Sequence, residues 1–394
     1  MKDIVVVANF SKVFYHDDNE RLTYICRELS KTHKVELVAS DFCHGEKKHK
    51  KILDDKSYKV TCIHEPGYPK NICLKRFWSH FCWGKGVGNY LKRRKKPDVI
   101  YCAVPSLTAA FYASAYCKKN GIRFFVDIQD LWPEAFKMVF KVPIFSDLIF
   151  APFNFIANKI YKNADEIVAV SETYANRALS VNKKVKKGTV VFIGTDLNSF
   201  DNNCKMYKSN APDDKIHIAY CGTLGASYDL ITIFDAMYIL KMRGVDNLQF
   251  IVMGDGPLKN KFEQYAKDKN LDVVFTGKLP YSQMCARLSS CDIAVNCIKK
   301  GSAGSIINKH ADYSAAGLPV VNTQESDEYR NLVSLYNIGV NCKVEDSEDV
   351  ANALYDLIID KNKMAKMGAN SRLLAEEKFD RSVTYQSLIT LVDF

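Results

Sequence analysis

Short runs of consecutive apolar residues, rich in Val, Ile and Phe, recur along the chain, and the stretches between them carry apolar positions three and four apart. The first series is Ile4–Phe10, Lys34–Ser40, Asp98–Val104, Arg123–Gln129, Glu166–Val170 and Thr189–Ile193. The second is Lys215–Leu224, Leu248–Gly254, Asp272–Gly277, Asp292–Ile298, Pro319–Asn322 and Ile338–Cys342. An unbroken apolar run marks a strand buried on both faces, and strands alternating with helices pack as a parallel sheet between helical layers. Two such series predict an α/β protein of two Rossmann-like, doubly wound domains. The polar stretch 201–214 reads as a linker, which puts one domain at 1–200 and the other at 215–374. Residues 375–394 are expected to form a helix packing back on the first domain. Open parallel sheets bind ligands at the carboxyl ends of their strands, so chemistry is sought after Phe10, Gln129, Leu224, Gly254, Gly277 and Ile298.

Composition adds little to this except through charge. The chain has 394 residues, 47% hydrophobic and 25% charged, an ordinary globular balance at a length that favours two domains. The opening MKDIVVVANF reads as a first strand rather than a signal peptide, and no apolar window is long enough for a spanning helix. The 13 cysteines never fall in a C-x-x-C spacing, which favours buried reduced thiols over a zinc site. Residues 1–200 hold 33 Lys and Arg against 20 Asp and Glu, while the remainder holds 22 against 25. An anionic surface is therefore expected to meet the first half. In that half, Leu74–Asp98 mixes aromatics with the basic run Lys92–Lys96, and Pro133–Tyr161 is rich in Phe. Each alone reads as a core helix beside solvated charge; together they favour contact with a membrane surface.

The strand ends carry the candidate chemistry. Gly222 and Gly225 in CGTLGASYD permit a tight turn and close backbone approach. In GDGPLKNKF, Asp255 and Pro257 read as helix-start signals, more structural than chemical. After FTG, backbone groups at Lys278 and Leu279 are placed to meet a flat ring. GSAGSIINKHADYSAAGLPVVNT is a flexible loop, with Ser305 as the expected N-cap of a helix bearing Asn308, Lys309 and Asp312 on Ser305's face. A helix amino end with a lysine in its first turn suits a phosphate, and Asp312 could accept from ribose hydroxyls. The rival is a surface Lys–Asp pair, and the position after a strand end favours the ligand. Lys299 and Lys300 sit at the lip of the loop. In the first half, Gln129, Asp130 and Trp132 at a strand tip read as a sugar-binding group or, alternatively, a capped turn. The polar loop after Phe10 offers His16, Asp17, Asp18, Asn19 and Arg21 to a second substrate. No Asp-x-Asp, Walker loop, G-x-S-x-G or G-x-G-x-x-G occurs, and no nucleic-acid module is recognisable.

CGTLGASYDL, MGDGPLKNKF, VVFTGKLPYSQM and NKHADYSAAGLPVVNT, in this order, resemble the carboxyl-terminal domain of family-4 (group 1) glycosyltransferases. VDIQDLWPEAF and IVAVSETYANR resemble that family's amino-terminal domain, and VVFIGTDLNSF its inter-domain segment. The resemblance spans nearly the whole chain, least clearly from Phe42 to Arg94, and looks most like the branch serving bacterial capsule, O-antigen or exopolysaccharide assembly. It implies the GT-B fold, two Rossmann-like domains facing across a nucleotide-sugar cleft, and retention of anomeric configuration. It further implies that Asp312, the second acid of the family's E-x7-E motif, holds the ribose and Lys309 the diphosphate. Thr223 and Gly225 would lie under the phosphates, Leu279 beside the base, and Gly254, Ser305, Ile306 and Asn308 along the donor. Gln129 and Asp130 fall where relatives carry His-Asp near the transferred sugar. The sequence departs from the family at Gly304, the place of the first acid. It departs again at Thr223 and Tyr228, the places of an Arg and a Lys, and at Gln129. Lys299, Lys300 and Lys309 are the candidate replacements for the missing charge.

The expectation is a retaining, metal-independent glycosyltransferase without a cofactor, peripheral to the inner face of the bacterial cytoplasmic membrane. It would move a sugar, from a UDP donor, to a polyprenyl-diphosphate-linked saccharide held through His16, Asn19 and Arg21. The alternatives are a catalytically idle partner subunit, motivated by Gly304, and a nucleotide-sugar epimerase of the same fold.

Overall fold

The computed structural model describes residues 1–15, 20–53, 55–71, 73–135, 146–207, 214–302 and 304–393, without the side chains of 146–148. Of the residues named above, His16, Asp17, Asp18 and Asn19 lie outside that description, as do 136–145 of the Phe-rich segment and 208–213 of the expected linker. The chain forms two units, Met1–Phe192 with Tyr385–Phe394, and Ile193–Thr384.

The first unit is built on nine strands: β1 Asp3–Ala8, β2 Lys34–Ser40, β3 Phe42–Cys43, β4 Lys48–His49, β5 Lys59–Ile63, β6 Val99–Val104, β7 Arg123–Ile128, β8 Glu166–Ala169 and β9 Thr189–Val190. Seven form a sheet in the order β5-β2-β1-β6-β7-β8-β9, while β3 and β4 make a separate hairpin. Successive side chains of a strand point to opposite faces, and here both faces are apolar. Val5, Val7, Ile100 and Val126 enter one core. Ile4, Val6, Tyr101 and Phe125 enter the other. The first face is covered by α2 (Leu74–Arg93), α3 (Leu107–Asn120), α4 (Ser146–Asn163) and α5 (Glu172–Leu179), and the second by α1 (Arg21–Ser30) and the terminal helix of residues 386–393. Gly84 and Gly88 let α2 lie close on α3: a Cβ on Gly84 would stand 2.6 Å from the Ala109 nitrogen.

The second unit has a six-stranded parallel sheet in the order β12-β11-β10-β13-β14-β15. Its strands are β10 Ile216–Cys221, β11 Leu248–Met253, β12 Val273–Gly277, β13 Ile293–Asn296, β14 Val320–Asn322 and β15 Gly339–Asn341. Helices α6 Leu197–Met206, α7 Leu230–Met242, α8 Lys259–Asp268, α9 Tyr281–Leu288, α10 Asn308–Ala315, α11 Asp327–Leu335, α12 Ser347–Ile359 and α13 Lys361–Leu374 surround it. Both units are thus the doubly wound α/β domains expected.

The boundaries differ from those read off the sequence. Residues 201–206 are not linker but the end of α6, which Asp196 caps by accepting the Ser199 N–H at 2.9 Å. Leu197 and Phe200 are buried with Cys285 and Ala315 of the second unit, and Asp201 pairs through both oxygens with Arg372 at 2.8 Å. The stretch looked polar because only one side of a short helix is buried. The second unit also continues beyond residue 374. A π-helical turn, Ala375–Phe379, leads to α14 (Arg381–Thr384), whose Arg381 donates to the Ile193 and Gly194 carbonyls. Only α15 (Gln386–Asp393), with Tyr385, Leu388 and Val392 buried, belongs to the first unit.

Candidate active site

In the second unit, the loops after β10 and β13 bring the expected residues to the carboxyl edge of the sheet. Lys309, in the first turn of α10, is 6% exposed, and its Nζ has no hydrogen-bond partner among the described residues. The ammonium lies over two phenol rings, 3.9 Å from the Tyr220 centroid and 4.1 Å from that of Tyr228. Burial pushes its pKa down to about 8, so near neutrality it is still mostly charged. Gly222 borders it closely: at φ +141 it adopts a backbone suited to glycine, and a Cβ there would lie 3.2 Å from Nζ. Thr223 is exposed, and its carbonyl accepts from the Tyr220 hydroxyl at 2.8 Å. Gly225 meets only Thr223, whereas Gly254 serves packing, since its Cβ would stand 1.8 Å from the Gly222 oxygen.

Helix α10 begins later than expected. Its N-cap is Ile307, whose N–H is taken by His310 Nδ1 at 3.3 Å, and His310 stacks on Tyr329 with centroids 3.4 Å apart. Ser305 is therefore no cap; it is buried, and its hydroxyl donates to Glu328. Asn308 is exposed while Lys309 is buried, so the single polar face inferred from helical spacing does not form. Ile306 is buried beneath the loop. Asp312, half-buried, accepts from Tyr281 Oη at 3.0 Å, and that phenol also bonds Thr195 Oγ1 at 2.7 Å. Lys278 and Lys299 are exposed and Leu279 is half-buried.

A support for this loop escaped sequence reading. Asn296, Asn322 and Asn341 end three adjacent strands in register, and their amides form a ladder with links of 2.8 Å. Gln324 accepts from Asn296 and donates to the Gly304 and Ser305 carbonyls at 2.6 and 2.8 Å. The one available signal was Asn at the end of each strand.

In the first unit, Gln129 turns back to donate to Asp127 at 3.1 Å. Asp130 accepts from Leu131 N–H and from Trp132 Nε1, which is the capped-turn arrangement, and burial raises its pKa. Arg21 does not meet a substrate loop. It is 1% exposed, forms a two-point ion pair with Asp127 and donates to the Val191 carbonyl. Placing it in α1, with an aspartate directly below on β7, is what removes it from solvent.

The group 1 glycosyl transferase model matches residues 202–374, and that of glycosyltransferase family 4 matches residues 19–199. Together the two matches cover most of the chain and support a group 1 glycosyltransferase. A probable glycosyltransferase of Pseudomonas aeruginosa, WbjE, is 23% identical over 44% of this chain and 43% of its own. An uncharacterized glycosyltransferase of Methanocaldococcus jannaschii is 22% identical over 57% of each. The match thus spans about half the length of these curated relatives. Among solved structures, Anabaena HepE in complex with UDP and glucose superposes over 100% of both chains at a TM-score of 0.71 and 15% identity. Sucrose-phosphate synthase of Thermosynechococcus elongatus does so over 100% of this chain and 98% of its own at 0.75, again at 15% identity. These likenesses establish the GT-B fold.

The departures from the pattern that the resemblance implies have physical content. Gly304, at φ +148, occupies backbone that a side-chain-bearing residue rarely adopts, so the loop is shaped for the missing acid's absence. Tyr228, at the place where the resemblance implies a cation, supplies a ring to Lys309. For metals, Asp41, His49 and His64 bring ligand atoms within 4.8 Å of one another on the first unit's surface. His64 and Asp41 already bond at 2.8 Å, and His49 bonds the Glu65 carbonyl. No helix among the described residues is long and apolar enough to cross a membrane.

Proposed function

We propose that this glycosyltransferase moves a sugar, with retention, from a UDP-linked donor to a polyprenyl-diphosphate-linked saccharide in bacterial surface polysaccharide assembly. The observation that carries the reading is Lys309: a buried ammonium with no hydrogen-bond partner among the described residues, at the edge of a parallel sheet where a glycine-lined loop approaches it. Phenol faces stabilise a cation but do not neutralise it, whereas a diphosphate would. Asp312, steadied by Tyr281, would take the ribose hydroxyls. As the anomeric carbon loses its bond to the leaving phosphate oxygen, Lys309 and the loop amides would hold the growing charge. The acceptor oxygen then bonds that carbon from the same face, and its proton passes to the departing phosphate. Gln129 is no base, and no enzymic nucleophile is required.

Membrane contact is supported by α2. Leu74, Trp78 and Phe81, with Lys85, repeat along one side of it, and the first three are 87%, 60% and 42% exposed. Apolar anchors beside lysines suit an anionic lipid surface. The backbone at Gly304 favours a second reading, an idle partner subunit. Incubating the protein with UDP-sugars and a membrane extract of lipid-linked saccharides separates the readings. Transfer with release of UDP is expected. A UDP-sugar isomerised without acceptor would indicate an epimerase, and binding without turnover an idle subunit.

A further inference from the structure

Away from the donor residues, the carboxyl edge of the first unit's sheet carries a ring of aromatic side chains around two cations. Phe10 lies 4.8 Å from His44 and 5.4 Å from His80; Tyr68 lies 5.7 Å from His44 and 5.6 Å from His80; and His80 stacks on Trp132 at 5.5 Å and 8°. Tyr68, His80 and Trp132 are buried, while Phe10, His44, Lys47 and Arg76 are half-buried, so the ring opens to solvent on its cationic side. The Arg76 guanidinium sits 4.6 Å from the Trp132 centroid and 5.6 Å from that of Tyr68; Lys47 Nζ is 4.9 Å from the same tyrosine.

Neither cation makes an ion pair among the described residues. Lys47 donates to the Asn71 side chain and contacts His44 Nδ1, Arg76 donates to the Asn71 carbonyl at 2.9 Å, and Arg76 Nε is buried with no hydrogen-bond partner among the described residues. The carboxylates behind the ring accept hydrogen bonds from neutral donors, and Asp130 also attracts Arg76 electrostatically without pairing with it. Glu65 accepts from Asn9, Ser40 and Ser79, with His80 3.9 Å away, and Asp130 accepts from Trp132 and Leu131. Burial, and after it the charges of Lys47 and Arg76, pushes His44 down to about 4 and His80 to about 3. Two cations held together in a part-buried, aromatic-walled hollow need an oxyanion, and the ring faces suit the apolar side of a sugar.

We propose that this ring is an oxyanion site for the acceptor, with a phosphate or carboxylate of the acceptor saccharide seated on Arg76 and Lys47 and a sugar ring against Phe10. Calling the ligand an acceptor rests on the transferase reading; the anion site itself does not. The donor-side test is UDP, and the test here uses glucose 1-phosphate, glucuronic acid and glucose in saturation-transfer NMR. Wild type, Arg76→Gln, Lys47→Gln and Lys309→Ala, the last disabling the other unit's cation, are compared. At least one anionic probe is expected to bind wild type and Lys309→Ala alike, and to weaken about tenfold or more in Arg76→Gln and Lys47→Gln, with glucose silent. Glucose 1-phosphate alone would name a phosphate as the anion, and glucuronic acid alone a carboxylate. Lys47→Gln, on a half-exposed side chain, keeps the test valid if Arg76→Gln does not fold. Probes that bind no better than glucose, or equally in all variants, overturn the proposal. UDP binding in that same sample would leave the transferase reading standing.

Discussion

Lys309 holds its charge in surroundings that disfavour it, and two consequences can be measured. Its folded pKa of about 8 lies below the ordinary 10.5. Between those values the unfolded chain keeps a proton that the folded chain has released. Stability from this group therefore rises with pH across that window and is flat and unfavourable below it. Lys309→Met should thus raise the unfolding free energy read from urea melts at pH 7 by about 1–3 kcal/mol, while weakening UDP binding. A lowered midpoint would mean that the two tyrosine rings more than offset desolvation. The charge must also be present for a diphosphate to bind, so UDP affinity should hold at pH 7 and fall as pH rises through 8 to 9. Affinity that is level across this range would remove Lys309 from the phosphate contacts.

The elements around that residue are set by close backbone approach rather than by side chains. Gly254→Ala would drive a methyl to 1.8 Å from the Gly222 oxygen, whereas Gly225→Ala meets nothing nearer than 3.6 Å. Thermal and urea unfolding should show Gly254→Ala losing about 1–3 kcal/mol or more and Gly225→Ala almost nothing. Equal effects would contradict the packing described. The strands themselves were legible, because apolar runs such as IVVVA and VIYCAV have only one comfortable place, between two helical layers. The edge strand β5, KVTCI, was missed since it is only half-buried and carries no such run. Residue roles were harder. Helical spacing put Ser305 and Asn308 on the face of Lys309, but the helix starts at Asn308, and a two-residue change of start alters every inferred neighbour. Arg21 looked like a loop residue, and the aspartate that buries it lies 106 positions away. The asparagine ladder likewise depends on strand order, which no local pattern encodes.

At the scale of the whole chain, the uneven charge takes on a location. Of the basic run Lys92–Lys96, Arg94 is occupied by Asp3 and Glu36, leaving its neighbours and the Leu74–Trp78–Phe81 stripe to meet a surface. Replacing Trp78 and Phe81 with serine should weaken sedimentation with phosphatidylglycerol-containing vesicles about tenfold, and pure phosphatidylcholine should bind poorly throughout. Unchanged sedimentation would detach α2 from the membrane. The central claim, however, is that the second unit holds a nucleotide diphosphate on Lys309 and Asp312. Calorimetric titration of UDP, with GDP as comparator, tests it most directly on wild type, Lys309→Ala and Asp312→Ala. The account predicts that wild type binds UDP and that each substitution weakens it by about 1–3 kcal/mol, the range for hydrogen bonds to charged groups. A well-folded wild type that binds neither nucleotide would contradict it.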